Sequence, residues 1–217
     1  MITKLNTQSL TLGDICKFSK GFGGFKASTY KEAGIPILRV ANIDNFEINE
    51  KNLVYIDSND YSQDLNKYLL KKNDLIIAKD ASIGKLGKIN IDREFLFNSH
   101  ILKIEPISDK VNRDYLYHFL ISKSKEIENL KLGVILPALD IDRLKKIKIS
   151  LPDLATQAKI ANKLNQFWKL SGELCGELCG ELNLRKKQYE YYRDELLSFK
   201  QDNKIEWLTL GEIATDI

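Results

Sequence analysis

The chain has 217 residues, enough for one sizeable core with an extension, or for two small domains. Charged residues are 29% and hydrophobic ones 43%, no apolar run approaches the roughly 18 residues of a membrane helix, and the start (Met1-Ile-Thr-Lys-Leu-Asn-Thr) has no hydrophobic signal core. These features argue against a membrane or secreted protein, and a cytoplasmic one is expected. The net charge of +3 hides an asymmetry: residues 1–150 carry 24 Lys/Arg against 19 Asp/Glu, whereas residues 151–217 carry 9 against 11. A basic head on a mildly acidic extension suits nucleic acid at one end and protein at the other.

In chain order, Leu10-Thr11-Leu12-Gly13-Asp14-Ile15 opens the core, and residues 21–25 (Gly-Phe-Gly-Gly-Phe) read as a flexible, turn-rich loop. Residues 35–40 (Ile-Pro-Ile-Leu-Arg-Val) read as a strand with Pro36 at its start. Residues 74–78 (Asp-Leu-Ile-Ile-Ala) read as a buried strand, followed by a loop holding Gly84 and Gly87. The strand pattern continues at 95–97 and 101–104, residues 114–121 read as a helix, and 147–151 is a last alternating strand stopped by Pro152. Strands lead and helices follow, so the fold class is α+β: one globular domain followed by a long coiled-coil helix.

From Leu154 the period changes. Positions Ile160, Leu164, Phe167, Ser171, Leu174, Leu178, Leu182, Arg185, Tyr189, Tyr192, Leu196 and Phe199 recur in steps of three and four, a heptad seam with one extra step of four. That step falls on three tandem tetrapeptides, Ser171-Gly-Glu-Leu, Cys175-Gly-Glu-Leu and Cys179-Gly-Glu-Leu. Each copy lengthens a helix by roughly 6 Å and rotates it by about 40°, as a spacer between two working parts would. A helix of about 45 residues spans roughly 65–70 Å, a stripe too long for a small domain to cover, so a partner helix is expected. Gly172, Gly176 and Gly180 each cost about 1 kcal/mol against Ala in a helix. Close helix approach and repeat slippage in the gene explain them equally well. Cys175 and Cys179 would need two more ligands to hold zinc, and only His100 and His118 exist, so no metal site is expected. Finally, residues 208–213 (Leu-Thr-Leu-Gly-Glu-Ile) repeat residues 10–15, as if a second period began before the chain ends.

These motifs, taken in order, resemble the DNA-specificity subunits of Type I restriction–modification systems, in a half-length form. The resemblance rests on the Leu-x-Leu-Gly-Asp/Glu-Ile openings, Gly34-Ile-Pro-Ile-Leu-Arg-Val40, Asp74-Leu-Ile-Ile-Ala with Ser82-Ile-Gly84-Lys85, Ile147-Lys-Ile-Ser-Leu-Pro-Asp153, Gln157-Ala-Lys-Ile-Ala161 and the helix around Arg185-Lys-Lys-Gln-Tyr. It implies a target-recognition domain over residues 1–152, a long helix over 153–200 pairing antiparallel with a partner, and a stub of a second repeat over 201–217. A homodimer follows, with Ile160, Leu164, Phe167, Leu174, Leu178, Leu182, Tyr189, Tyr192 and Leu196 as its interface. Two identical heads on a two-fold axis would read a bipartite palindrome in double-stranded DNA.

Base reading needs side chains that reach base edges, with cations and amides on phosphates. The loops offer Lys20 and Lys26 beside the glycine loop, Lys79, Ser82, Lys85 and Lys88 around Gly84 and Gly87, and Asn98, Ser99 and His100 after the aromatic strand. The residue 79–88 loop is the favoured cluster, with the glycines letting amides approach phosphate. No glycine-rich S-adenosylmethionine loop and no Asn-Pro-Pro-Tyr motif is present, and no Glu-x-Lys follows Pro152-Asp153, so neither catalysis nor a cofactor is expected in this chain. The resemblance implies methyltransferase subunits carrying S-adenosylmethionine as partners, and a motor-nuclease subunit as a further one. Two rival readings stay open. One is a truncated coiled-coil assembly or decoy protein that occupies methyltransferase subunits without directing them. The other is an enzyme whose best offer of acid–base groups is Asp80 with Glu94.

Overall fold

A computed structural model describes residues 8–80, 82–133 and 137–197, the side chains of Gln8 and of residues 194–197 excepted. In chain order the elements are β1 (Gln8–Thr11), α1 (Leu12–Ile15), β2 (Cys16–Lys20), β3 (Ile35–Leu38), β4 (Ile43–Asp44), β5 (Glu47–Ile48), β6 (Val54–Ile56), β7 (Leu69–Leu70), β8 (Leu75–Ala78), β9 (Leu86–Lys88), β10 (Phe95–Phe97) and β11 (Ile101–Pro106). Then come α2 (Arg113–Ser122), α3 (Ser124–Glu128), β12 (Lys131–Leu132), β13 (Ala138–Leu139), α4 (Ile141–Lys145), β14 (Lys148–Leu151) and α5 (Leu154–Leu197). The order of strands and helices is the α+β arrangement expected. The chain divides into two units, Met1–Asn165 and Gln166–Ile217.

Within the first unit, two four-stranded sheets run in the orders β2-β11-β8-β9 and β6-β3-β10-β7. The first is antiparallel throughout; in the second, β3 and β10 are parallel. Strand β8 explains its own apolar run. Leu75 and Ile77 join a core with Leu12, Ile15, Leu116, Leu120 and Leu144, while Ile76 and Ala78 join Leu38, Phe95 and Phe97 of the other sheet. A strand covered on both faces has no polar side to alternate. Strand β10 is likewise buried on both faces, because Leu96 points to a third cluster with Phe22, Ile37 and Ile56.

Two expectations change on this scaffold. The strand expected over 35–40 ends at Leu38. The buried Asn42 side chain accepts the Arg39 amide proton through Oδ1 (3.1 Å) and donates through Nδ2 to the carbonyls of Asn49 (3.2 Å) and Lys51 (3.1 Å). This side-chain bonding competes with the ladder and turns the chain at Val40–Asn42. The glycine loop is also no free loop. Phe22 is buried among Phe25, Tyr61 and Tyr68, with ring centroids 4.9, 5.8 and 5.2 Å away. Gly21 lies so close to the carbonyls of Phe97 and Asn98 that a Cβ would collide with them.

Asp153 caps α5, accepting from the Thr156 amide (2.9 Å) and hydroxyl (2.7 Å). The first turns of α5 belong to the first unit. Gln157 and Ala161 are buried, and the Gln157 side chain bonds the backbone of Lys110, Asn112 and Pro152 at 2.7–2.9 Å. Asn165 donates to Asp114 (3.0 Å) and accepts from His118 Nε2 (2.7 Å). Of the expected seam, Ile160 is half-buried here. In the second unit the seam residues Phe167, Leu174, Leu178, Leu182, Tyr189 and Tyr192 are all more than half exposed. A Cβ at Gly172, Gly176 or Gly180 would meet only open space. The side chain of Leu196, residue Phe199 and the repeated motif at 208–213 lie outside the described residues.

Candidate nucleic-acid interface

Strand geometry gathers one edge of the first unit. Strand β11 starts where β2 and β8 end, with Leu102 opposite Lys20 and Ile101 opposite Ala78. The parallel pair β3 and β10 ends together, and the Asn98 amide donates to the Leu38 carbonyl (3.4 Å). Five strand termini therefore converge on Lys20, Arg39, Lys79 and the turn 98–100. The glycine segment is stitched to the same turn, as Gly21 N–H donates to Ile101 O (3.3 Å), Phe22 N–H to Phe97 O (2.9 Å) and Ser99 N–H to Phe22 O (3.0 Å).

At the centre of this edge stands Asp80. Its Oδ2 accepts from Lys79 Nζ (2.6 Å) and pairs with His100 Nδ1 (3.0 Å). Burial opposes ionisation of Asp80, but the bonds from Lys79 and His100 outweigh it and hold the carboxyl below its ordinary value. A carboxylate only accepts, so His100 carries its proton on Nδ1. The backbone fixes the same group: Lys79 N–H donates to His100 O (2.9 Å), Leu139 N–H to Lys79 O (2.7 Å), and Asp80 bridges Ala138. Among the described residues, Arg39, Val40, Ala41, Asp80, Asn98, His100 and Pro137 line a cleft of about 630 Å³. Arg39 is anchored by Nη2 to the Asn52 carbonyl (2.8 Å).

The other expected residues fall around this centre or away from it. Lys20, Lys26 and Lys85 are exposed and carry no ion pair among the described residues. Lys26 is held by Thr29, whose hydroxyl donates to the Lys26 carbonyl (2.8 Å) and takes the Tyr61 hydroxyl proton (2.7 Å). Ser82 is half-buried, and its carbonyl accepts from the Lys85 amide (3.3 Å). Lys88 stands apart. Its side chain is only 13% exposed and donates to Asp114 Oδ1 (2.6 Å), so its charge is spent on helix α2. The two loop glycines are needed internally: Gly87 lies in β9 against Ile43, Ile48 and Ile76, and Gly84, at φ +85°, faces Glu128. Asp80 and Glu94 serve different cations, Glu94 pairing with Lys71 at 3.2 Å, so no shared acid–base site emerges from them. In the sequence, Asp80 reads only as an acid–base group with Glu94, and Arg39 only as part of the strand over 35–40. Their places at the edge carry no local signal, since the residues that complete it, Asn98, His100 and Ala138, come from elsewhere in the chain.

Residues 5–184 match the family described as the Type I restriction modification DNA specificity domain. The chain belongs to that family. Among relatives of the specificity family, a Haemophilus influenzae protein designated S.HindORF215P is 29% identical over 192 residues, 88% of this chain and 48% of that protein. The type I restriction enzyme EcoprrI specificity subunit of Escherichia coli is 35% identical over 155 residues, 67% of this chain and 38% of that one. The crystal structure of the S subunit from M. genitalium superposes with a TM-score of 0.60 over 91% of this chain and 48% of that one, at 20% identity. A structure of the type I R-M system gives a TM-score of 0.66 over 87% of this chain and 45% of that one, at 18% identity. These structural likenesses support the fold. The chain spans half or less of the length of these specificity proteins. No helix among the described residues is long and apolar enough to cross a membrane.

Proposed function

We propose that this chain is the DNA-recognition component of a Type I restriction–modification system and reads one half of a bipartite site in double-stranded DNA. The observation that carries the reading is the convergent strand-end edge in a chain of this family. It assembles Lys20, Arg39, Lys79, Asn98 and His100 on a rigid scaffold, with Lys26, Ser82 and Lys85 as outlying contacts. Exposed lysines there would hold phosphates, and Asn98 and His100 would reach base edges. Lys88, tied to Asp114, is left out of this interface.

In this reading residues 1–152 recognise DNA, residues 153–200 pair antiparallel with a second copy, and residues 201–217 pack on a recognition domain. The exposed leucines and tyrosines of α5 support the pairing, because an apolar stripe of that length in water calls for a cover. The resulting two-fold assembly reads a palindrome and positions methyltransferase subunits that carry S-adenosylmethionine, with a motor-nuclease subunit as a further partner.

The test is to coexpress the chain with its neighbouring methyltransferase subunit and map methylated adenines in host DNA. A palindromic bipartite motif supports both recognition and the homodimer. An asymmetric motif replaces the homodimer by pairing with a different half-subunit. An absence of methylation replaces recognition by the decoy reading.

A further inference from the structure

Asp80 poses a physical problem on an edge meant for DNA. A carboxylate beside phosphates is repulsive, and this one also cancels the charge of Lys79, whose side chain is 20% exposed. An edge built only for phosphate attraction would leave the lysine free. The arrangement instead spends a charge on geometry. One carboxylate oxygen receives both Lys79 Nζ and His100 Nδ1, and the backbones of Lys79, Asp80 and His100 are themselves tied to one another and to residues 138–139. The Asn98 side chain adds a further restraint, its Oδ1 accepting the His100 amide proton (3.3 Å). The imidazole is thus held through Nδ1 by Asp80 and its backbone by Asn98 and Lys79, while its side chain stays 57% exposed. With Nδ1 committed to Asp80, Nε2 is the polar ring atom left to face solvent, and it has no hydrogen bond among the described residues. A rigidly aimed single polar atom suits a base edge, where a wrong partner is penalised, better than a phosphate, which tolerates many geometries.

We propose that Asp80 is a specificity-determining positioning residue, which orients His100 so that Nε2 contacts one base edge of the half-site and withholds Lys79 from indiscriminate phosphate binding. The assignment rests on the DNA-recognition reading above. It makes an unusual demand: removing the acid should weaken sequence-specific action and at the same time leave sequence-independent binding equal or stronger. A carboxylate that merely braces the fold moves both the same way.

The experiment uses the full chain coexpressed with its methyltransferase subunit, as wild type and as Asp80→Asn. Methylated adenines in host DNA are mapped, and the purified complex is titrated with random-sequence duplex. The expected result is methylation at the wild-type motif reduced by roughly tenfold, or one base position of each half-site relaxed. Binding to random duplex is at least as tight as wild type. His100→Ala should relax the same position without tightening the random-duplex binding, since Asp80 still holds Lys79. It decides the matter if Asp80→Asn loses its cooperative melting transition. An unchanged motif in a folded Asp80→Asn, or in His100→Ala, overturns the assignment and leaves DNA recognition standing. A parallel loss of specific and random binding, with a lowered melting temperature, overturns it in favour of a structural clamp. No methylated motif from the wild-type chain overturns the recognition reading and this assignment with it.

Discussion

The ion pair of Lys88 with Asp114 illustrates how tertiary context decides what a single residue does. In the sequence Lys88 is one cation in a run with Lys79 and Lys85. In the structure it is enclosed by helix α2, donating to Asp114 at 2.6 Å with the Tyr117 ring 6.0 Å away. Burial raises the cost of the Asp114 charge, but the bonds from Lys88 and Asn165 outweigh it and hold that carboxyl below its ordinary value. Because the folded value is depressed, the pair stabilises fully above the unfolded carboxylate value of about 3.9. The contribution fades as the pH falls through the lower folded value. Asp114→Ala should therefore cost about 1–3 kcal/mol in urea unfolding at pH 7, by stranding a nearly buried ammonium. The difference from wild type should shrink in acid. Equal urea midpoints at pH 7 would mean that the pair contributes nothing.

At the scale of elements, local chemistry is legible where an element satisfies itself. The opening motif reads directly: Thr11 N–H and Oγ1 both bond Asp14 Oδ2, at 2.8 and 2.6 Å, while Leu12 and Ile15 enter the core. The helix is legible too, because its apolar steps of three and four are local. What periodicity could not separate was which face meets which neighbour. The face of Gln157, Ala161 and Asn165 is taken by the first unit, and the seam beyond it stays exposed. The glycines of the tetrapeptides make a sharp test. In the isolated helix Gly176 has open space around it, so Gly176→Ala should stabilise helix by about 1 kcal/mol. Circular dichroism melting at rising concentration separates the two explanations of these glycines. A higher melting temperature at all concentrations means the glycine is idle. A variant that melts lower and loses its concentration dependence means that a partner helix passes where the methyl group would sit.

For the whole molecule, the proposed assembly depends on the exposed stripe of α5. Leu178→Glu should convert a dimer to a monomer in sedimentation equilibrium, because a charge in an apolar seam must be desolvated. The melting of the first unit should stay as in wild type, since Leu178 lies in the second. A wild-type monomer at micromolar concentration would remove the homodimer from the proposal. Deleting one Cys-Gly-Glu-Leu copy shortens each helix by roughly 6 Å, set against 3.4 Å per base pair along one DNA strand. The methylated half-sites should stay the same while the spacer between them changes. An unchanged spacer would sink the ruler idea.

The sequence by itself determined the α+β order, a buried strand over 74–78, the strand pattern at 95–97, the long helix and its repeated tetrapeptide. It also supplied the motifs through which the family resemblance could be named. Each of these is written in short-range spacing: short apolar runs, steps of three and four, repeats of four. Only the tertiary structure decided which of the candidate residues stand together. Asp80 meets His100, and Leu38 meets Asn98, through parallel β3 and β10 and antiparallel β8 and β11. The bridge to Asn98 carries Phe22 into an aromatic core, and Asp114 of helix α2 takes Lys88 of β9 out of the edge. Such neighbours are set by strand register across tens of residues, where each side chain is chosen by what the sheet brings beside it.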